Sequence, residues 1–201
     1  MIYLSGAVSP RLVGRPDVGF MLSPRMGNRA PAAPTVWAAD CGTYPTWWHF
    51  DLDTYLAFLE RHAWAAPRAL FAVCPDAIGD GPSTAANVSV LADIRALGYP
   101  TAYVAQPDVD LDALPWDLID CLFLGGADWW QQEAAPLVVA AAHVRGKWAH
   151  RGRVNRRGRL RMTYTLGFDS CDGTLAAFGP DINGPKLLAA LDELRHGAVL
   201  L

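Results

Sequence analysis

Ala69-Leu70-Phe71-Ala72-Val73-Cys74-Pro75-Asp76 is the stretch on which the fold turns. Its five opening residues form an unbroken apolar run. The run is too short for a helix of ordinary length and lacks the alternation of a strand with one wet face. It reads as a strand buried on both sides, the kind found in parallel sheets. Pro75 then interrupts the chain and Asp76 follows, so a buried strand hands a carboxylate to the next loop. The same grammar recurs on either side. Val36-Trp37-Ala38-Ala39 ends at Asp40, Thr101-Ala102-Tyr103-Val104-Ala105 at Gln106, and Asp120-Cys121-Leu122-Phe123-Leu124 at Gly125-Gly126. Ile2 to Leu4 is a short first strand, Lys147 to His150 a later one, and Phe168 centres another.

Helical segments lie between these runs. Leu52, Tyr55, Leu56, Phe58 and Leu59 fall at helical spacing as far as Arg61. Ser83 suits the cap of a helix that reaches Leu97 and closes at Gly98, with Asp80 as a second capping candidate. Trp129 to Arg145 reads as a helix, Asn155 as the cap of a basic helix to about Thr165, and Pro185 to Arg195 as a last amphipathic one. Strand and helix alternate throughout, the pattern of an α/β protein. Roughly seven strands are legible. An eighth, weak one near Leu175 to Phe178 would close a compact (β/α)8 TIM-type barrel, preferred here to an open doubly wound sheet, although such barrels usually need about 250 residues. The long segment 6–34, rich in Gly, Pro and Arg, reads as a loop. Its Arg11, Arg15, Arg25 and Arg29 are either phosphate contacts or simply solvated.

Composition narrows the class. At 201 residues, 52% hydrophobic and 18% charged, the chain can bury a core as one domain, residues 1–201. A net charge of -3 means that any nucleic-acid contact needs a local basic patch. Cys41, Cys74, Cys121 and Cys171 are isolated from one another, which fits neither a zinc ribbon nor a disulfide framework and suits a reducing, cytoplasmic setting. His143, His150 and the cysteines form no metal spacing. His150 itself reads as structural rather than as an acid or a ligand. Met1 to Gly6 has no signal-peptide pattern, and Ala134 to Val144 is too short to cross a bilayer.

The polar residues collect where strands end: Asp40, Asp76, Gln106, Gly125-Gly126, His150 and the pair Asp169/Asp172. In a barrel those ends share one face, which holds the active site. Their order, together with His150-Arg151-Gly152-Arg153-Val154-Asn155 and Gly167-Phe168-Asp169-Ser170-Cys171-Asp172-Gly173-Thr174, resembles the tRNA-guanine transglycosylase superfamily. The likeness runs from Asp40 to Asp181 and is strongest to the DNA-directed members, which insert 7-deazaguanine bases into phage or bacterial DNA. The chain lacks the C-x-C-x-x-C plus His zinc motif of the tRNA enzymes and is much shorter than they are. Both departures favour DNA over tRNA.

The resemblance implies a (β/α)8 barrel that exchanges guanine for a free base such as 7-cyano-7-deazaguanine, with no cofactor and no metal. It makes Asp172 the nucleophile and Asp169 its neighbour, either a support or a turn residue. Asp40 would handle the proton of the base. Asp76, Gln106, Gly125 and Gly126 would read the base edge, with Tyr44, Trp129 and Trp130 as candidate stacking surfaces. Arg151, Arg153, Asn155, Arg156, Arg157, Arg159 and Arg161 would meet the DNA backbone. The alternatives are tRNA as substrate and a barrel that binds nucleic acid or deazaguanine without turnover. A homodimer, or a partner protein completing the short barrel, is also left open by the sequence.

Overall fold

The computed structural model describes residues 1–6, 9–27, 29–43 and 50–197. Eight parallel strands close a barrel in chain order: β1 (Ile2–Ser5), β2 (Val18–Leu22), β3 (Trp37–Ala39), β4 (Ala69–Val73), β5 (Thr101–Ala105), β6 (Cys121–Leu124), β7 (Trp148–Arg151) and β8 (Ser170–Gly173). Closure comes from β8, which pairs with β7 on one side and with β1 on the other, Leu4 opposite Asp172. The helices are α1 (Leu52–Arg61), α2 (Gly81–Ala85), α3 (Val90–Ala96), α4 (Asp128–His143), α5 (Arg157–Thr165) and α6 (Pro180–Arg195). None of these is long and apolar enough to cross a membrane.

Two strands lie elsewhere than the sequence suggests. β2 falls inside the segment 6–34, where Val18-Gly19-Phe20-Met21-Leu22 is wholly buried between β1 and β3. Consequently the residues Leu175 to Phe178 are not needed as an eighth strand, and they follow β8 as a turn leading to α6. The last strand starts at Ser170 rather than at Phe168, so Asp172 stands within a strand. The single helix expected from Ser83 to Leu97 is two short ones, and Asp80 is the cap: its carboxylate accepts from Ser83 N at 2.9 Å. The final helix begins at Pro180, five residues early.

Large aromatics fill the layer between barrel and helices, and most have their polar tip satisfied, the buried Tyr103 hydroxyl being an exception. Trp37 Nε1 donates to Ala65 O at 3.0 Å, Tyr55 Oη to Val73 O at 2.8 Å and Tyr99 Oη to Leu59 O at 2.8 Å. The lumen is packed as well. Phe71 of β4 meets His150 of β7 with ring centres 5.0 Å apart, and Phe123 of β6 lies 4.4 Å from His150. Strands β4 and β7 are not neighbours in the sheet, so their rings touch through the barrel interior. Side chains alternate along a strand. This contact therefore fixes which residues face inward: His150 on β7, then Ser170 and Asp172 on β8 by register.

Candidate active site at the C-terminal mouth of the barrel

The inward parity carries past the strand ends. Ala38 leads to Asp40, and Ala102 and Val104 lead to Gln106. Phe123, inward on β6, is followed two residues later by Gly125. These positions, with Asp76 beyond β4 and Asp172 on β8, gather at the C-terminal mouth. The fields of Asp172 and Asp76 both reach Asp40 and oppose its ionisation.

Asp76 and Gln106 form a locked pair. Gln106 Nε2 donates to Asp76 Oδ2 at 2.6 Å, while Thr43 Oγ1 donates to Asp76 Oδ1 at 2.6 Å. The amide of Gln106 is turned by a third bond, as Gly79 N donates to its Oε1 at 3.0 Å. Gly125 and Gly126 are required beside it. A Cβ on Gly125 would lie 2.5 Å from Val104 Cγ1, and Gly126 has φ +81° with Trp130 Cδ1 only 2.7 Å from where its Cβ would be. Burial raises the proton affinity of Asp76, opposed by those two side-chain donors. Asp40 is raised further. Burial is the main cause, the neighbouring carboxylates add to it, and the Gly42 N–H, donating at 3.3 Å, only partly offsets it; the result is about 6. A carboxyl group that titrates near neutrality can both give and take a proton.

Asp172 is held differently. His150 Nε2 lies 3.1 Å from Asp172 Oδ1, and His150 Nδ1 lies 2.7 Å from Ser170 Oγ, which also receives Trp148 Nε1 at 2.7 Å. The His150 ring is wholly buried between two phenylalanines, and that burial lowers its proton affinity against the opposing pull of Asp172. The sequence hides this role because it separates His150 from Ser170 by 20 residues. Only the strand register makes them neighbours.

Asp169 belongs elsewhere. It precedes β8 at the opposite, N-terminal end of the barrel, where its Oδ2 accepts from Ala149 N at 2.8 Å and faces His143 Nε2 at 3.0 Å. This corrects its expected place in the catalytic group: it joins α4 to the foot of β7 and cannot reach the mouth. Tyr44 lies outside the described residues.

The basic segment divides. Arg151 points outward from β7 and is buried, with Gln131 and Thr163 as hydrogen-bond partners and the Phe168 ring 5.9 Å away. Burial is the main cause that draws its proton affinity down, to about 10, and it is an internal strut rather than a DNA-facing group. Asn155 does not cap α5. Its Oδ1 accepts from Thr174 N at 2.7 Å and ties the loop after β7 to the loop after β8. Arg157 is paired with Glu193. Arg153 donates to Gly126 O, and Arg159 meets Asp128 at 2.9 Å. With exposed Arg156, they border an open cleft of about 660 Å³ beside the mouth. Arg161 is exposed further along α5. In the 6–34 segment, Arg15 is committed to Asp17 and Asp192, at 2.8 and 2.7 Å.

Among the described residues no cluster of three His, Cys, Asp or Glu side chains is arranged to hold a metal ion. No protein-family model matches the chain. No curated protein matches it either. Several solved structures resemble it in outline. The phosphodiesterase PaMucR in complex with c-di-GMP is 15% identical over 70% of this chain and 66% of that one, with a TM-score of 0.44. The EAL enzyme Bd1971 in its cGMP-bound form is 13% identical over 66% and 37%, TM-score 0.41. Nitroalkane oxidase from Streptomyces ansochromogenes is 12% identical over 88% and 65%, TM-score 0.45. This chain spans less than two thirds of each of them. At such identities the likeness does not reach activity, and the barrel assignment stands on the strand pairing given above.

Proposed function

We propose that this protein exchanges guanine in DNA for a free 7-deazaguanine base, such as 7-cyano-7-deazaguanine, through a covalent glycosyl-aspartate on Asp172. The observation that carries the reading is the convergence of three unlike carboxyl groups on one mouth. Asp172 is oriented by a histidine, Asp40 titrates near neutrality, and Asp76 is clamped to Gln106.

The chemistry divides among them. Asp172 attacks C1′ of the target nucleotide as the bond from C1′ to N9 breaks, through a transition state with oxocarbenium character. The departing electron pair stays on the base, which takes the proton of protonated Asp40 and leaves as neutral guanine. The incoming base gives its N9–H proton to the Asp40 carboxylate, and its N9 then attacks C1′ to release Asp172. Atoms and protons balance over the cycle, and no further reactant is needed.

Asp76 suits the base edge. Guanine and its 7-deaza analogues present N1–H and an exocyclic amine side by side, and a carboxylate accepts from both. Asp76 Oδ2 takes the Gln106 amide, and Oδ1 takes the Thr43 hydroxyl and, at 3.9 Å, the Cys41 thiol; the N–H groups of the base would add to these donors. The second Nε2 hydrogen of Gln106 is left for the base carbonyl. For DNA to present a base here, the nucleotide must leave the stack, at a cost of about a few kcal/mol. Trp129, which is 59% exposed on α4, offers a stacking surface, and the cleft of Arg153, Arg156 and Arg159 offers phosphate contacts.

Mass spectrometry of nucleosides from DNA incubated with the protein and 7-cyano-7-deazaguanine tests the proposal. The expected result is the 2′-deoxynucleoside of 7-cyano-7-deazaguanine with stoichiometric release of guanine. DNA binding without exchange, for any 7-deazaguanine offered, would make the chain a binding barrel instead. Exchange in tRNA but not in DNA would reassign the substrate.

A further inference from the structure

We propose that a one-way hydrogen-bond relay, Trp148 to Ser170 to His150 to Asp172, runs up the barrel lumen and holds Asp172 by Oδ1, leaving Oδ2 as the attacking atom. The inference rests on the reading of Asp172 as nucleophile, and it adds His150 and Ser170 as positioning residues.

The direction of the relay follows from what each group can donate. An indole nitrogen only donates, so Ser170 Oγ accepts from Trp148 Nε1 at 2.7 Å. At the other end a carboxylate oxygen only accepts, so the hydrogen between His150 Nε2 and Asp172 Oδ1 belongs to the histidine. A neutral imidazole carries one N–H. His150 Nδ1 is then an acceptor, and the 2.7 Å contact with Ser170 is the serine hydroxyl donating to it. Each link has a single orientation once the ring is neutral. Its enclosure between Phe71 and Phe123 keeps it so, because no water is at hand to solvate an imidazolium.

The arrangement is a product of the sheet. His150 and Ser170 are register partners on β7 and β8, and Asp172 is the next inward residue above Ser170. Holding the carboxylate with a neutral donor fixes its rotamer without neutralising its charge. A lysine or arginine in that place would bind the oxygens as an ion pair and dull the nucleophile. The histidine does not transfer a proton in this scheme; its task is orientation.

Two measurements test the relay. The first is the 15N signature of His150 in the intact protein near pH 7, which distinguishes the two neutral tautomers from imidazolium. The expected result is the Nε2–H tautomer with Nδ1 as acceptor; an Nδ1–H tautomer or a charged ring would overturn the relay. The second is the rate of adduct formation with DNA under single-turnover conditions. Ser170→Ala is expected to lower it about tenfold, with DNA affinity within about twofold, in line with loss of a supporting hydrogen bond. His150→Gln, which keeps a donor, is expected to retain more activity than His150→Leu. An unchanged rate in a folded Ser170→Ala protein would also overturn it. If the wild-type protein forms no adduct at all, the base-exchange reading falls, and the tautomer alone then decides whether the relay stands.

Discussion

Asp169 and Asp172 lie three residues apart, and the barrel sends them to opposite ends. About 10 Å of strand separates them. At the foot, Asp169 takes the N–H of Ala149 and faces His143, and Asp120 nearby takes the N–H of Thr101 and the guanidinium of Arg95 at 2.5 Å. Carboxylates there pin one element to the next. At the mouth the partners are a hydroxyl, an amide, a buried neutral imidazole and other carboxylates. Such neighbours orient a carboxyl group without quenching it. Burial raises the proton affinity of Asp40 and Asp76, the neighbouring carboxylates add to it at Asp40, and the hydroxyl and amide donors oppose it at Asp76. The contrast teaches that a carboxylate's partners, more than its place in the sequence, decide whether it holds the fold or is kept for chemistry.

The strongest way to break this contrast is Asp172→Asn. The change keeps shape and removes the nucleophile, so exchange should fall by about 10³-fold or more, while Tm moves by only a few degrees. A mutant with wild-type exchange would erase the difference between the two ends. Next in size is Asp40→Asn, expected to slow exchange by about 10²-fold through loss of proton transfer.

Asp40→Asn also carries a pH signature. Folded Asp40 keeps its proton up to about 6, against 3.8 in the unfolded chain. Its contribution to stability is thus complete below 3.8 and is lost as pH rises through 6. Asparagine does not titrate, so Asp40→Asn should be more stable than wild type at pH 7 by about 1–2 kcal/mol, allowing for water at the mouth. The gain should vanish below pH 4. Thermal melts across that range check it, and a loss of stability at pH 7 would contradict the electrostatics described for the mouth.

Asp169→Asn should do the reverse of Asp172→Asn. Stability should drop by about 1–2 kcal/mol as the bond to Ala149 N weakens, and exchange by the folded protein should stay within about twofold. Smallest of all is Arg156→Ala. It should leave chemistry intact and reduce the slope of log K against log salt for DNA by about one, whereas buried Arg151 would be felt in the melt.

Much of this architecture is legible in the chain before folding. The apolar runs ending at Asp40, Asp76 and Gln106 announce both the parallel sheet and the residues at its mouth. For Asp40 and Gln106 the inward parity of the strand carries past its end, while Asp76 is brought in by the loop after Pro75. β2 is hidden because Val18 to Leu22 is short and sits among Arg, Pro and Gly. Only its pairing with β1 and β3 makes it a strand. Ser170-Cys171-Asp172-Gly173 has no strand composition at all and is held extended by partners on both sides. That same uncertainty let Asp169 pass for a companion of Asp172, since two residues three apart are neighbours in a turn and strangers along a strand. His150 stayed hidden for a related reason: its partners are set by register, and register is not written in local pattern. Arg151 likewise reads as a DNA contact because a basic run looks solvated until the helices that cover it are in place, whereas Asn155 stays exposed at the rim of the cleft.

The central claim is that Asp172 becomes bonded to the sugar. Incubating the protein with guanine-containing DNA, denaturing, and mapping any covalent protein–DNA adduct by mass spectrometry tests it most directly. An adduct on Asp172, absent from Asp172→Ala although that variant still binds DNA, is the predicted result. Base exchange that persists in Asp172→Ala, or an adduct on another residue, would contradict it.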